Sequence, residues 1–152
     1  MTELNELFAD IAPDIQKSIT ELGWTTPTPV QAAAIPKMRE GGDLIVQAMT
    51  GSGKTGAFGI PIVEAVDTAL AKTQAIILLP TRELAQQTLK EVERFAQFTF
   101  LKGGLITGGE DFKVQAAMLR KVDILIGTPG RLIEHANAGN LLLDEVEVLV
   151  LD

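Results

Sequence analysis

The sequence predicts an α/β fold with a mostly parallel sheet and helices on both faces. Two observations carry this. Short, almost wholly apolar runs at residues 44–46, 75–79, 122–126 and 147–151 alternate with stretches of helical periodicity, as strands buried on both faces do. A glycine-rich loop at residues 48–55 joins the first apolar run to the helix after it.

The elements follow in order. Residues 13–22 make a helix, with Pro13 in its first turn, one stripe of Ile15, Ile19 and Leu22, and Gly23 as its stop. Thr28 and Pro29 form an N-cap and N1 pair that opens a second helix, to Met38. Gly41-Gly42 is a turn, Leu44-Ile45-Val46 the first strand, and a helix runs from Lys54 to Leu70 with a bend at Pro61. Residues 75–79 are the second strand, closed by Pro80. Thr81 caps a long helix whose apolar face is Leu84, Thr88, Leu89, Val92, Phe95 and Ala96, with Glu91 and Glu93 in solvent. Leu105-Ile106 is a short third strand and residues 112–119 a helix, with Met118 and Leu119 in the core. Residues 122–126 are the fourth strand. A helix to Ala136 follows Thr128, and residues 147–151 are the fifth strand. His135, the single histidine, is expected in solvent. The 152 residues suit one domain, a helical flank at 1–42 and a core at 43–152.

Composition removes several classes. Cysteine is absent, so disulfides and thiolate metal sites are excluded. No apolar run reaches the roughly 18 residues of a spanning helix, and the start lacks the pattern of a signal peptide. A cytoplasmic protein without a membrane partner is expected. The net charge of −7 argues against a grip on nucleic acid by bulk positive potential.

The strongest chemical signal is Ala48-Met49-Thr50-Gly51-Ser52-Gly53-Lys54-Thr55. It matches the phosphate-binding loop pattern, with Ala for the first Gly, and lies between a predicted strand and a predicted helix as the mechanism requires. Gly51 and Gly53 let the backbone aim N–H groups at phosphate oxygens. The helix N-terminus adds its dipole. Lys54 would neutralise the β- and γ-phosphates and the Thr55 hydroxyl would ligate magnesium. The bland alternative is a glycine-rich turn with an exposed lysine.

Four further segments narrow the family. Gly23-Trp24-Thr25-Thr26-Pro27-Thr28-Pro29-Val30-Gln31 resembles the Q motif of DEAD-box RNA helicases, with Phe8 as its upstream aromatic. Pro80-Thr81-Arg82-Glu83-Leu84-Ala85 resembles motif Ia, Gly108-Gly109 the GG motif, and Thr128-Pro129-Gly130-Arg131 motif Ib. They occur in the family's order along essentially the whole chain. Met49 stands where the family usually has a polar residue, and Asp152 matches the first Asp of the Asp-Glu-Ala-Asp motif.

The resemblance implies a RecA-like fold, incomplete at its C-terminus, that takes ATP or ADP with magnesium. It implies that Gln31 reads the adenine edge, to which an amide can both donate and accept. Trp24 would stack on the base, the Thr26 carbonyl would take an N6 proton, and Phe8 would buttress the pocket. Thr50, Gly51, Ser52, Gly53, Lys54 and Thr55 would hold phosphate. Thr55 and Asp152 would hold magnesium, partly through water, which makes Lys54, Thr55 and Asp152 the expected catalytic residues. Pro80, Thr81, Arg82, Gly108, Gly109, Thr128, Pro129, Gly130 and Arg131 would hold one RNA strand by its backbone, without reading sequence. A few directed groups would thus replace bulk charge. Their bland alternative is an N-cap turn with surface ion pairs.

The intact parent implied is an ATP-dependent RNA helicase that unwinds short duplexes with a second RecA-like domain, which this chain lacks. The chain alone is expected to hydrolyse almost nothing, and its unpaired sheet edges to invite non-native self-association. The alternatives are an adenine-nucleotide-binding module without helicase activity and a small-molecule kinase. Discrimination between adenine and guanine nucleotides tests the Q-motif reading.

Overall fold

The structure, a computed structural model, describes residues 6–152. Its chain forms two compact units, one of residues up to 65 together with 91–99, the other of residues 66–90 and 100–152.

The first unit is helical. It holds α1 (Glu6–Ala9), α2 (Pro13–Glu21), α3 (Pro29–Glu40) and α4 (Lys54–Ala65), with the end of α5 (Arg82–Phe95). Ile15, Ser18 and Ile19 form the buried stripe of α2, which gives way to Gly23 at φ +78°. Thr28 and Gln31 make a full capping box at the start of α3, with Pro29 in its first turn. The Arg39 guanidinium forks onto the Glu64 carboxylate at 3.0 and 3.1 Å, tying α3 to α4. Residues 56–63 of α4 are all buried, so no polar face shows in its sequence.

Two expectations fail here. The helix stops at Ala65 instead of Leu70, because Gln74 takes the backbone of Asp67: its Oε1 accepts the Asp67 N–H at 2.8 Å and its Nε2 donates to the Asp67 carbonyl at 2.9 Å. The strand expected at residues 44–46 does not form, and Ile45 is 99% exposed. A strand exists only where a neighbour takes its backbone groups. No strand of the described residues pairs with this run.

The second unit contains β1 (Ala75–Leu78), the start of α5, β2 (Gly103–Ile106), α6 (Phe112–Met118), β3 (Ile124–Gly127), α7 (Pro129–Asn137) and β4 (Val148–Leu151). The sheet order is β2-β3-β1-β4 and every pairing is parallel. All four residues of β3 are buried; since alternate side chains point to opposite faces, both faces are covered. Ile76, Ile106, Leu119, Val122, Leu125, Leu132 and Leu141 form one apolar cluster, with Met118 at its margin.

The strand limits differ from expectation by one or two residues. β2 begins at Gly103 instead of Leu105: a Cβ at Gly104 would meet the Met118 sulfur at 2.5 Å, so glycines stand where the pattern of apolar side chains breaks off. β3 begins at Ile124, two residues later than expected. On α5, Ala85, Thr88, Val92 and Phe95 are buried with the adjoining Ala96, while Leu84, expected on that face, is exposed. No helix of the described residues is long and apolar enough to cross a membrane.

Candidate functional site

In the first unit the loop before α4 contains two left-handed glycines, Gly51 at φ +82° and Gly53 at φ +87°. That conformation is costly for any side chain. The loop leads directly into the N-terminus of α4 at Lys54-Thr55. Ser52 Oγ is buried within it and has no hydrogen-bond partner. Buried polar atoms are nearly always paired, so an orphan hydroxyl on a loop at a helix N-terminus suits an anionic ligand. A groove of about 830 Å³ flanks the loop, lined in part by Thr28, Ala34, Val46, Met49 and Ser52. Thr50 is exposed and Thr55 half-buried.

Gln31 is 1% exposed. Its Oε1 accepts the Thr28 N–H at 3.0 Å and its Nε2 donates to the Gly53 carbonyl at 3.1 Å. One N–H and one lone pair of the amide remain. The capping box of α3 is therefore bonded directly to the phosphate loop. A Cβ at Gly53 would lie 2.7 Å from Gln31 Nε2 and 2.8 Å from Thr28 Oγ1, so the loop closes against this side chain only as glycine. Trp24 is half-buried, tilted 56° against Phe95 with centroids 5.6 Å apart, and a Cβ at Gly56 would touch its ring at 3.2 Å. Phe8 is wholly buried and Thr26 exposed.

In the second unit, the segments that resemble motifs Ia, GG and Ib converge on one loop. Arg82 Nη2 donates to the Gly108 carbonyl and lies 3.6 Å from the Glu110 carboxylate. Arg131 Nη2 donates to the Glu110 carbonyl at 2.7 Å, and its Nη1 pairs with Glu134 at 3.1 Å. Arg131 Nε is buried without a partner. Thr81 Oγ1 accepts the Leu84 N–H at 3.2 Å and caps α5. The Thr128 hydroxyl does not cap α7, and its N–H donates to the Ile106 carbonyl at 3.1 Å. Pro80, Gly108, Gly109, Pro129 and Gly130 are exposed. Asp152 follows β4, its N–H on the Leu78 carbonyl at 3.0 Å, at the strand ends where open α/β sheets bind ligands.

His135 overturns its expectation: it is 0% exposed. Its Nε2 lies 2.8 Å from Gln115 Oε1, its Nδ1 3.2 Å from Asn140 Nδ2, and its ring stacks on Phe112 at 4.1 Å. Burial holds its pKa below the ordinary imidazole range, helped by the Arg131 cation and opposed by Glu134. The available signal was spacing, since His135 follows buried Leu132 by three positions on α7. Nothing local marked Gln115 or Glu110.

Fold and loops together define an α/β protein with a glycine-rich loop leading into a helix N-terminus and a parallel sheet with arginines near its strand ends. The DEAD/DEAH box helicase family model matches residues 28–152, and the chain belongs to that family. It is 44% identical over 143 residues to the ATP-dependent RNA helicase CshA of Limosilactobacillus reuteri, covering 93% of this chain and 29% of that protein. It is 45% identical over 137 residues to the ATP-dependent RNA helicase DbpA of Escherichia coli, covering 89% and 30%. Among solved structures, a DEAD box protein from Methanococcus jannaschii superposes with a TM-score of 0.92 at 37% identity, covering 100% of this chain and 42% of that one. Dbp5 of S. cerevisiae, bound to RNA and ADP BeF3, gives 0.89 at 30%, covering 100% and 38%. The fold is thus the RecA-like domain of this family, and the chain spans less than a third of the two named helicases.

Proposed function

We propose that this chain is the domain of an ATP-dependent RNA helicase that binds adenine nucleotide in its first unit and single-strand RNA backbone in its second. One observation carries the reading. Among the described residues the buried side-chain polar atoms without a partner are Ser52 Oγ and Arg131 Nε. They lie in the two segments where the sequence expects phosphate. An unpaired buried donor costs about 1–3 kcal/mol, and a phosphate oxygen would remove that cost at both places.

In the first unit, backbone N–H groups of Gly51 and Gly53 and the Ser52 hydroxyl hold phosphate oxygens, with Lys54 neutralising their charge. Gln31 uses its remaining N–H and lone pair on the adenine edge while its other two sites keep the loop in place. Thr55 offers one oxygen to magnesium, which otherwise takes phosphates and waters and needs no protein cage. Magnesium, when bound, supplies charge neutralisation at the phosphates. In the second unit Arg82 and Arg131 hold RNA phosphates in place of their present contacts to Glu110. Backbone recognition of this kind is independent of base sequence.

The test is equilibrium binding of fluorescent ADP and GDP, and of labelled oligouridylate and oligocytidylate. ADP favoured over GDP, with equal affinity for the two RNAs, is expected. Equal affinity for ADP and GDP would overturn the adenine assignment, and no RNA binding at low salt would overturn the second site.

A further inference from the structure

We propose that His135 is a positioning residue: it fixes the Thr107–Gly108 peptide and so sets the donor face of the Gly108-Gly109 loop. The geometry stands without a ligand; that the ligand is RNA phosphate rests on the reading above.

The hydrogen bonds around the imidazole run one way. Asn140 Nδ2 can only donate, so Nδ1 of His135 is the acceptor, at 3.2 Å. Gln115 Oε1 can only accept, so the proton sits on Nε2, at 2.8 Å. Gln115 Nε2 then donates to the Thr107 carbonyl at 2.9 Å. Neutral imidazole suits this link, since it accepts at one ring atom and donates at the other. Phe112 fixes the plane of the ring, stacked within 4°. The Arg131 guanidinium lies 5.3 Å from the centre of the same phenyl ring. Phe112, His135 and Gln115 thus connect the arginine of α7 to the backbone of the loop.

Four carbonyls of the loop are held in this manner. Ile106 accepts from the Thr128 N–H, Thr107 from Gln115, Gly108 from Arg82 and Glu110 from Arg131. No peptide bond of the described residues is cis, and in a trans peptide the next N–H points opposite to the carbonyl. Holding the Thr107 carbonyl inward turns the Gly108 N–H outward, and the Arg82 bond to the Gly108 carbonyl fixes the direction of the Gly109 N–H. Both glycines are exposed. The network therefore fixes the directions of two adjacent backbone donors, of which the Gly108 N–H faces solvent and can bind an anion. Arg82 holds the second of these peptides from the surface; the first is held from inside, through His135.

His135→Phe keeps the stacked ring and removes the donor. In the chain without ligand the backbone amide ¹H and ¹⁵N resonances of Gly108 and Gly109 are expected to shift, and those along β1 and β3 to stay unchanged. Affinity for a short oligouridylate is expected to fall about fivefold, the scale of one lost ordering hydrogen bond, with fluorescent ADP bound as before. A folded variant with wild-type resonances at both glycines overturns the proposal, as does unchanged RNA affinity. Loss of ADP binding in parallel with RNA binding also overturns it, since that marks general destabilisation. If the variant does not fold, the imidazole ¹⁵N spectrum of the wild-type chain decides: a protonated Nε2 and bare Nδ1 are expected, and the opposite tautomer overturns the proposal. A wild-type chain that binds no RNA would refute the helicase reading, while the resonance comparison still decides the role of His135.

Discussion

Gln31 donates its side-chain N–H to the carbonyl of Gly53, 3.1 Å away and twenty-two positions along the chain. The same amide accepts the Thr28 N–H that starts α3. Helix start and phosphate loop therefore share one side chain, and a change in either is felt by the other.

Two alanine substitutions separate strain from contact in this loop. Gly51→Ala meets nothing within 4 Å, so only its left-handed backbone is penalised, at about 1 kcal/mol. Gly53→Ala adds a Cβ 2.7 Å from Gln31 Nε2 and displaces the link. A loss of about 2–3 kcal/mol is expected, with ADP affinity reduced at least about tenfold. Urea unfolding and ADP titration of both variants check this; equal losses would remove Gln31 from the account.

Glu110 holds both arginines of the second unit, Arg82 through its carboxylate and Arg131 through its carbonyl. Glu110→Gln removes only the charge. The ion pair is exposed, so stability should move by less than about 0.5 kcal/mol. Oligouridylate affinity should rise about two- to fivefold at low salt, and the gain should vanish near ~0.5 M salt. An unchanged affinity at low salt would show that the carboxylate does not compete with phosphate.

Stability should depend on pH through His135. Its folded pKa lies below the ordinary value, chiefly through burial and next through Arg131. Above about pH 6.5 folded and unfolded states are both neutral and the full stability is present. Below that the unfolded state takes up the proton first, and stability falls until the folded pKa is passed. Glu64 and Asp123, held above the ordinary carboxyl range mainly by burial, act in the opposite direction at lower pH. The comparison is therefore between wild type and His135→Phe, whose midpoint temperatures should converge as pH drops from 7.5 to 5.5.

Self-association should follow exposed apolar backbone. Ile45 is 99% exposed, and β4 at the edge of the sheet exposes Leu149 and Leu151 at 59% and 74%. Unpaired apolar edges pair with other chains. Sedimentation velocity should show a concentration-dependent shift that Ile45→Lys with Leu149→Lys suppresses. The same shift in the double variant would place association elsewhere.

Much of the fold was legible because its signals are local. The Thr28-Pro29 cap, the Pro13 start and the apolar runs of β1, β3 and β4 report their structure within a few residues. Leu44-Ile45-Val46 has the same apolar character and still forms no strand, since pairing needs a neighbour that no local pattern supplies. Leu84 and Ala85 exchanged roles on α5 for a related cause: helical period gives a stripe, and packing decides which residues are its centre. The arginines of the second unit were identified by motif, but their convergence on Glu110 joins positions far apart in the chain.

The sequence by itself determined the class of fold and the family, because spacing and residue type carry those features. Tertiary structure alone decided that Gln31 is bonded to Gly53, that His135 is buried in a one-way chain of hydrogen bonds, and that residues 44–46 stay unpaired. Each depends on which groups meet across long separations. Hydrogen-bond partners of that kind leave no periodic trace in the chain.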